Sequence, residues 1–394
     1  PGMIGQVKRQ AIPQMNSETP DQQPPEIPLS LPARERIRLR LGYLYGEETA
    51  AGVEQRISRL LRTHVQLRTR VNEGDLWSHE DVVLITYGDS VQSTSQPPLQ
   101  SLHTFLNQFL GNAFSMVHIL PFFPWSSDDG FSVTDFRAVK EDLGTWQDIR
   151  ELSQSFDLAI DLVLNHCSRE NLWVVDYIFG DEPACNYFIE LDPSTNLSMV
   201  TRPRSTPVLS GIRTQHGLRH LWTTFSNDQI DLNYANPDVL IEFIDILLYY
   251  IRRGARMVRL DAVAYLWKQL GTPCIHLPQT HQIVKLFRDV LELVEPGALI
   301  MTETNVPHQE NMSYFGVGDE AHVIYQFSLP PLLLHAIYAG TSEYLNDWAA
   351  GLEAFAQPPG CTYLNFTASH DGVGLRPLEG LVPVSYTHLR AHET

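Results

Sequence analysis

The sequence predicts an α/β fold with a parallel sheet, and a (β/α)8 TIM barrel is the largest common fold of this class. Strand-like and helix-like segments alternate at intervals of roughly 40 residues, and no short hairpin signal separates consecutive strands. Several of these strands end in a charged residue, although strands covered by helices on both faces are normally apolar. Active sites of such barrels lie at the carboxyl ends of the strands, so these residues are candidates for chemistry.

The clearest unit of this pattern lies in the middle of the chain. Apolar residues recur at helical spacing over Val239–Ile251, Gly254 ends the helix, and Met257–Leu260 is a short apolar run. Arg259 and Asp261 are two residues apart, so strand alternation places both side chains on one face. The guanidinium can then hold the carboxylate ionised and fix its direction. A purely structural buried ion pair is the alternative interpretation.

The other segments follow in chain order. A Pro- and Gln-rich start without periodicity predicts a disordered arm, and the helical spacing after it predicts a lead-in helix packed on the barrel. A long proline-containing stretch after the third strand predicts an inserted subdomain. The predicted boundaries are 1–33 for the arm, 34–78 for the lead-in, 79–166 and 232–384 for the two parts of the barrel, and 167–231 for the insertion.

Composition and charge restrict the possible partners. A net charge of −18 argues against nucleic acid, because few groups could neutralise a run of phosphates. The four cysteines lie far apart without metal-ligand spacing, so reduced thiols are expected. No apolar run reaches the length of a membrane span, and no leader pattern opens the chain. We therefore predict a cytoplasmic protein without nucleic-acid or membrane partners, and its oligomeric state stays open.

Polar clusters fall at the ends of four predicted strands. They are Asp161–His166 on the third strand, Arg259–Ala262 on the fourth, Leu299–Asn305 on the fifth and Tyr363–Gly372 on the seventh. Because the carboxyl ends of barrel strands surround one pocket, we expect these side chains to converge. Any one of them alone could equally be a capping or core group, so the combination is what favours a catalytic site.

Three of the clusters contain a carboxylate at the strand end, namely Asp261, Glu303 and Asp371. Such a trio fits glycosyl transfer, in which one carboxylate is the nucleophile, one is the acid/base and one stabilises the sugar. A metal-dependent isomerase would instead need clustered His and carboxylate ligands, which the sequence does not suggest. The sequence therefore favours glycosyl transfer over that class, and it shows no pattern that predicts a metal or another cofactor.

With these motifs, the segment from about Asp81 to Pro383 resembles glycoside hydrolase family 13, the α-amylase family. The resemblance implies a (β/α)8 barrel with an inserted domain B after the third strand. It also implies roles for the trio, with Asp261 as nucleophile, Glu303 as acid/base and Asp371 as transition-state stabiliser. The residues implied to bind or surround the transferred glucose are Arg259, His166, His370, Asp128 and Phe131, with Asp161 and Asn165 at the base of the site.

Within the family, the chain resembles the sucrose phosphorylase branch. The motifs are Ser126–Phe131, Arg202–Arg204 in domain B, and Phe327–His335, which the resemblance assigns to the sixth strand. The branch implies a retaining phosphorylase that transfers glucose from a small α-glucoside to inorganic phosphate and releases α-glucose 1-phosphate. A hydrolase or transglucosidase with the same trio and a non-enzymatic α-amylase-like protein are the alternatives.

The residues after Glu303 narrow the choice of acceptor substrate. Sucrose phosphorylases carry Ile or Val and then His after the Glu, whereas Glu303 is followed by Thr304–His308, which looks more like the glucosylglycerate phosphorylases of the branch. Glucosylglycerate phosphorylase is therefore predicted, with sucrose phosphorylase as the alternative. Arg204 is the candidate cation for the acceptor carboxylate or the phosphate, and Thr304 and Asn305 could add neutral donors.

The end of the chain departs from the family pattern. From the resemblance we expect the barrel to be incomplete at its C-terminus, with the eighth strand, the terminal β domain and the acceptor loop after the seventh strand all missing. Residues 385–394 match nothing in the family, and we expect them to be a foreign tail.

Overall fold

A computed structural model of the chain describes residues 23–64, 76–353 and 357–383. Its centre is one parallel sheet of seven strands. They are β1 (Val83–Thr86), β2 (Met116–Ile119), β3 (Asp157–Val163), β8 (Ala255–Asp261), β9 (Leu299–Thr302), β10 (Val323–Tyr325) and β11 (Thr362–Leu364). Each pairs in parallel with the next in that order. This is the strand arrangement of a (β/α)8 barrel, and the predicted fold class is confirmed.

The inner strands are more deeply buried than the two edge strands. All four residues of β2 and of β9 are buried, whereas those of β1 and β11 are only half-buried. A cavity of about 930 Å³ lies between the two edge strands and is lined by residues of both. Within the described ranges, β1 and β11 each pair on one side only.

Helices cover the outside of the sheet, as the crossovers between parallel strands require. They are α1 (Ala33–His64), α2 (Pro98–Phe105), α3 (Trp146–Ser155), α5 (Pro237–Arg252), α6 (Pro278–Val294), α7 (His308–Met312), α8 (Leu329–Ala339) and α9 (Glu343–Glu353). Their starts follow local chemistry: α3 opens with a capping box of Thr145 and Asp148, and the Asn236 side chain caps α5. The predicted apolar face of α5 is buried.

The long helix α1 lies against α5 and α6 and is interrupted at Gly46, where φ is 77°. Its polar contacts with α6 are buried. Arg36 and Arg40 donate to the two carboxylate oxygens of Asp289 at 2.7 and 2.8 Å. These ion pairs join the helical lead-in to the barrel at a position remote from the strand ends, so the lead-in has a packing role.

The insertion begins directly after β3. It contains β4 (His166–Ser168), α4 (Leu172–Phe179), β5 (Leu209–Thr214), β6 (Gly217–Trp222) and β7 (Gln229–Asp231). β5 and β6 form a hairpin, and β4 pairs antiparallel with β7 in the register His166↔Asp231. The second pair brings the two ends of the insertion together at the carboxyl end of β3, which places the insertion over the site.

One strand assignment made from the resemblance is wrong. The segment Phe327–His335 follows the sixth strand, β10, and most of it belongs to α8. The physical reason is the pair Pro330–Pro331. Proline cannot donate to a strand ladder, but it fits the first turn of a helix, where its missing N–H has no partner to lose.

The predictions for the two ends fall mostly on residues outside the described ranges. Residues 1–22 of the arm and the tail 385–394 lie there. Residues 23–32 contain no helix or strand, although Ile27 is buried. Across the described ranges, the helices are all too short or too polar to cross a lipid bilayer.

Candidate active site

The carboxyl ends of the sheet strands and the insertion enclose a cavity of about 520 Å³. Its lining contains all the site residues that the sequence predicts: Asp261, Glu303, Asp371, Asp128, Phe131, His166, Arg259, His370 and Arg204. These residues come from segments far apart in the chain, and the strand ends bring them together as a barrel requires. Asp161 and Asn165 are fully buried and are not part of the lining.

Arg259 on β8 is the electrostatic centre of the cavity. Its Nη1 lies 2.6 Å from Oδ1 of Asp161 and 2.7 Å from Oδ1 of Asp261, and its Nη2 lies 3.7 Å from Oδ2 of Asp371. The β3–β8 register places Asp161 directly opposite Arg259. Arg259 is 1% exposed, so these contacts are little screened by water. The ion pairs of Arg259 therefore stabilise the fold and also face the cavity.

Asp161 anchors the Arg259 side chain from outside the cavity lining. Its Oδ2 lies 2.7 Å from Nε2 of His118 on β2, and both side chains are completely buried. Burial opposes ionisation of Asp161, but the charges and hydrogen bonds of His118 and Arg259 outweigh it and lower its pKa to about 2. The carboxylate therefore stays ionised and fixes the direction of the guanidinium.

Asp261 and Glu303 differ in their hydrogen-bond partners. Asp261 bonds directly to Arg259, whereas Glu303 accepts a backbone N–H from Ala262 at 3.1 Å. Ala262 has φ 51°, a left-handed conformation that aims this N–H toward the carboxylate. Burial raises the pKa of Glu303 despite the opposing charge of Arg259. Burial also raises the pKa of Asp261, and the direct bond from Arg259 opposes this rise by favouring the ionised form.

Aromatic rings form one wall of the cavity. Phe131 and His370 stack with centroids 5.5 Å apart and planes at 4°, and Tyr87 meets His370 edge-on. His370 also lies 3.3 Å from Asp371 through Nε2. Burial lowers the pKa of His370, so its ring is neutral at neutral pH and suits hydrogen bonding to a hydroxyl. Sequence reasoning did not select Tyr87.

The loop that carries Asp128 and Phe131 is held from outside the cavity by Asp228. One oxygen of this carboxylate accepts hydrogen bonds from Ser126 and Ser132 at 2.6 and 2.8 Å, and from Ser127. These bonds lower the pKa of Asp228 in spite of partial burial. The loop needs such support because Asp128 and its neighbour have φ of 58° and 47°, which non-glycine residues seldom adopt.

Gln229 links this loop to His166. Its Nε2 donates to Oδ2 of Asp128 at 2.8 Å and lies 3.2 Å from Nε2 of His166. His166 Nε2 is also 3.0 Å from the Phe131 carbonyl oxygen. Burial lowers the pKa of His166. Sequence reasoning missed both Asp228 and Gln229, because neither follows a predicted barrel strand.

A buried lysine joins the insertion to the barrel beneath these residues. Lys268 Nζ lies 2.7 Å from Oδ1 of Asn165 and 2.6 Å from Oδ2 of Asp231. Asp231 also accepts from the backbone N–H and hydroxyl of Thr224. An ammonium thus occupies the centre of this polar cluster. Across residues 23–64, 76–353 and 357–383, no group of three or more His, Cys, Asp or Glu is arranged to hold a metal.

Other groups of the cavity lining are exposed. Arg204 and Asn305 are exposed, whereas the Thr304 hydroxyl donates to Oδ1 of Asn311 at 2.6 Å and is buried. Residues 374–376, which follow the seventh strand, also line the cavity, and Arg376 among them was not predicted. This loop contacts Asn305 at Gly374, and the Pro377 carbonyl oxygen after it accepts a hydrogen bond from Ser328 at the start of α8. The absence of the acceptor loop of the branch stays a prediction.

Comparison with known proteins identifies the family of this chain. The α-amylase catalytic-domain family model matches residues 109–355. The glucosylglycerate phosphorylase of Spirochaeta thermophila is 48% identical over 89% of this chain and 60% of its own length. The sucrose phosphorylase of Streptococcus mutans is 27% identical over 77% of this chain and 63% of its own length.

Among solved structures, the sucrose 6F-phosphate phosphorylase from Thermoanaerobacter thermosaccharolyticum superimposes with a TM-score of 0.69 at 25% identity. The alignment covers 78% of this chain and 63% of that one. The chain spans about three fifths of the length of the curated relatives that it matches. Since the catalytic-domain match covers more than half of the residues, the chain belongs to the α-amylase family, glycoside hydrolase family 13.

Proposed function

We propose that the protein is a retaining glycoside phosphorylase that acts on 2-O-α-glucosylglycerate and inorganic phosphate, releasing α-glucose 1-phosphate and glycerate. The observation that carries the proposal is the buried Arg259, which contacts both Asp261 and Asp371 in the cavity that Glu303 also lines. Three carboxylates so arranged can supply the nucleophile, the acid and the stabilising charge that a two-step glucosyl transfer needs.

In the first step, Asp261 attacks the anomeric carbon of the glucoside. The bond between this carbon and the glycerate oxygen breaks, and Glu303 gives its proton to that oxygen. Burial raises the pKa of Glu303 and so favours the protonated form that an acid needs, while Arg259 holds Asp261 in the direction of attack. Asp371 faces the positive charge that develops on the sugar ring.

In the second step, a phosphate oxygen attacks the anomeric carbon and the bond to Asp261 breaks. Two inversions at this carbon give net retention, so the product is the α-anomer. Hydrogen phosphate needs no deprotonation to attack, and Glu303 regains its proton from solvent or from dihydrogen phosphate. Glu303 is therefore most important in the first step.

The choice of glycerate as the leaving group has two supports. The identity to a glucosylglycerate phosphorylase is 48%, against 27% for a sucrose phosphorylase. Glycerate is also an anion, and the acceptor side of the cavity contains two exposed arginines, Arg204 and Arg376, within a chain of net charge −18. A guanidinium suits a carboxylate because it can donate two parallel hydrogen bonds.

The test supplies 2-O-α-glucosylglycerate or sucrose, each with and without phosphate, and measures α-glucose 1-phosphate. We expect release from glucosylglycerate that depends on phosphate and exceeds release from sucrose. Nuclear magnetic resonance of the fresh product should show the α-anomer. Faster release from sucrose would assign the alternative donor, and phosphate-independent release of free glucose would indicate a hydrolase.

We also propose that the protein works in the cytoplasm. Cys167, Cys274 and Cys361 are unpaired thiols, which suits a reducing compartment. A fractionation of cells that express the untagged protein would test the location.

A further inference from the structure

The loop after β11 places a second cation at the acceptor side. Arg376 and Arg204 both line the cavity and both are exposed. Within the described ranges, neither has a carboxylate oxygen within 4 Å, whereas Arg259 has three such partners. A chain with many more acidic than basic residues thus has two guanidinium groups that line the same cavity as Glu303 and have no carboxylate partner within the described ranges. Unpaired cations in a cavity favour an anionic ligand.

Gly374, two residues before Arg376, lies against the Asn305 side chain. A Cβ atom at this glycine would lie 2.8 Å from Nδ2 of Asn305, so that a larger residue would require the Asn305 amide to move. The loop therefore approaches the segment after Glu303 closely at this point.

The other side of Arg376 is anchored by the next two residues. Pro377 and Leu378 are buried, and Ser328 donates to the Pro377 carbonyl oxygen at 3.2 Å. Leu378 packs in an apolar cluster with Leu332 of α8 and Trp348 of α9. The backbone at Arg376 is thus anchored by the buried residues that follow it, while its side chain is exposed and its guanidinium contacts the Tyr265 side chain in the cavity lining.

Arg204 lacks comparable support. It lies in a segment of the insertion without regular structure, and residues 202–207 are all exposed. A flexible cation can follow different ligands, whereas recognition of a small planar anion needs a donor fixed in position. Of the two arginines, Arg376 is therefore better placed to select a ligand by its shape and charge.

We propose that Arg376 is a specificity-determining residue that binds the carboxylate of the acceptor, so that the site selects a three-carbon hydroxy acid over the corresponding neutral polyol. This inference rests on the proposed function, since it concerns the leaving group of the first step and the acceptor of the reverse reaction. In this proposal, the acceptor carboxylate lies beside the bridging oxygen that Glu303 protonates. It faces the part of the loop where Gly374 meets Asn305.

The experiment runs the reaction in reverse with α-glucose 1-phosphate as donor and compares two acceptors, D-glycerate and glycerol. Glycerol has a neutral hydroxymethyl group where glycerate has a carboxylate, so the pair isolates the contribution of the anion. The wild-type protein is expected to prefer glycerate. Arg376→Ala is expected to lower kcat/KM for glycerate by about 10- to 100-fold and to change kcat/KM for glycerol by less than about threefold.

Two variants complete the design. Arg376→Lys keeps the charge but loses the planar fork, and it should recover only part of the preference. Arg213→Ala removes an exposed arginine of β5 that does not line the cavity, and it should leave both acceptors unchanged. Melting temperatures of all variants should match that of the wild type, because the Arg376 side chain is exposed.

The outcomes separate the two proposals. If the wild-type protein glucosylates neither acceptor, the proposed function fails. If the wild type is active and Arg376→Ala leaves the ratio of glycerate to glycerol unchanged, the inference about Arg376 is wrong while the function stands. An equal fall for both acceptors is one form of that result, and it would show that Arg376 binds the phosphate of the donor instead.

Discussion

Two parts of the cavity are built in different ways, and under the proposed function they are a glucose side and an acceptor side. On the glucose side, Asp128 and Asp371 are exposed, but Arg259 and Asp161 are almost inaccessible to solvent and form hydrogen bonds of 2.6 to 2.7 Å with each other and with their neighbours. On the acceptor side, Arg204, Asn305 and Arg376 are exposed. Under the proposed function, the buried network holds the geometry of bond breaking, and the exposed groups of the acceptor side select what leaves and what enters.

This contrast has a consequence for variants. Changes to the buried network should reduce both turnover and stability, because they leave a charge without its partner in a dry environment. Changes on the acceptor side should alter kinetic constants and leave stability unchanged. The predictions below test whether the two sides can be separated in this way, beginning with the largest expected effect.

Asp261→Asn should lower turnover by at least about a thousandfold, because the amide is a poor nucleophile. The shape of the side chain is retained, so the far-ultraviolet circular dichroism spectrum should not change. Asp142→Asn is a suitable control, since Asp142 is a surface carboxylate that is 67% exposed. Retention of more than about a tenth of the activity would remove Asp261 from the role of nucleophile, because a tenfold change is only about 1.4 kcal/mol.

Asp161→Asn should lower turnover by about a hundredfold and destabilise the fold by about 3 kcal/mol, since Arg259 loses its buried anchor. The effect on stability should depend on pH. The folded-state pKa of Asp161, about 2, is below its ordinary value of 3.8, so ionisation stabilises the protein above about pH 4. This contribution, about 2 kcal/mol, is lost as the pH falls from about 4 towards 2.

Urea unfolding at a series of pH values measures this dependence. Between pH 4 and pH 2, the free energy of unfolding should fall less steeply in Asp161→Asn than in the wild type. Equal slopes in the two proteins would show that Asp161 is not the group responsible.

Asp228→Ala should raise KM for the α-glucoside by about tenfold with a smaller change in kcat. The variant removes the acceptor of three serine hydroxyls, so the loop that carries Asp128 and Phe131 loses its fixed position. Asp192→Ala, which removes an exposed carboxylate of the insertion, is the matched control. A change in kcat alone would contradict a positioning role for Asp228.

Arg204→Ala should give the smallest effect, a rise of about fivefold in KM for phosphate. The melting temperature should stay within about 1 °C of the wild-type value, because this exposed side chain has no ion-pair partner within the described ranges. A large loss of stability would mean that the acceptor side is part of the structural network, and the contrast between the two sides would fail.

The sequence was sufficient for those parts of the site that follow from the geometry of strands. Arg259 and Asp261 are two residues apart, so alternation alone places them on one face. Glu303 follows a short apolar run, and the ends of parallel strands meet at one edge of the sheet. These rules are local, and the structure brings the predicted residues to one cavity.

The contacts that could not be predicted join side chains about a hundred positions apart. Asp228 meets Ser126 across 102 positions, and Lys268 meets Asn165 across 103. Neither partner carries a local signal, because the pairing depends on how the insertion returns to the barrel. Arg376 was missed for a similar reason: the position of its loop depends on contacts of Pro377 and Leu378 with α8, which is about 45 positions away in the chain.

The junction between the insertion and the barrel is held by a lysine, and this determines what could disrupt it. Lys268 is 5% exposed and its ammonium lies between Asn165 and Asp231. A charge attached to the chain is present in every molecule as soon as the chain is synthesised, and it does not depart by dilution or chelation. This cation is therefore present wherever the chain is folded, and its supply does not depend on the surrounding medium.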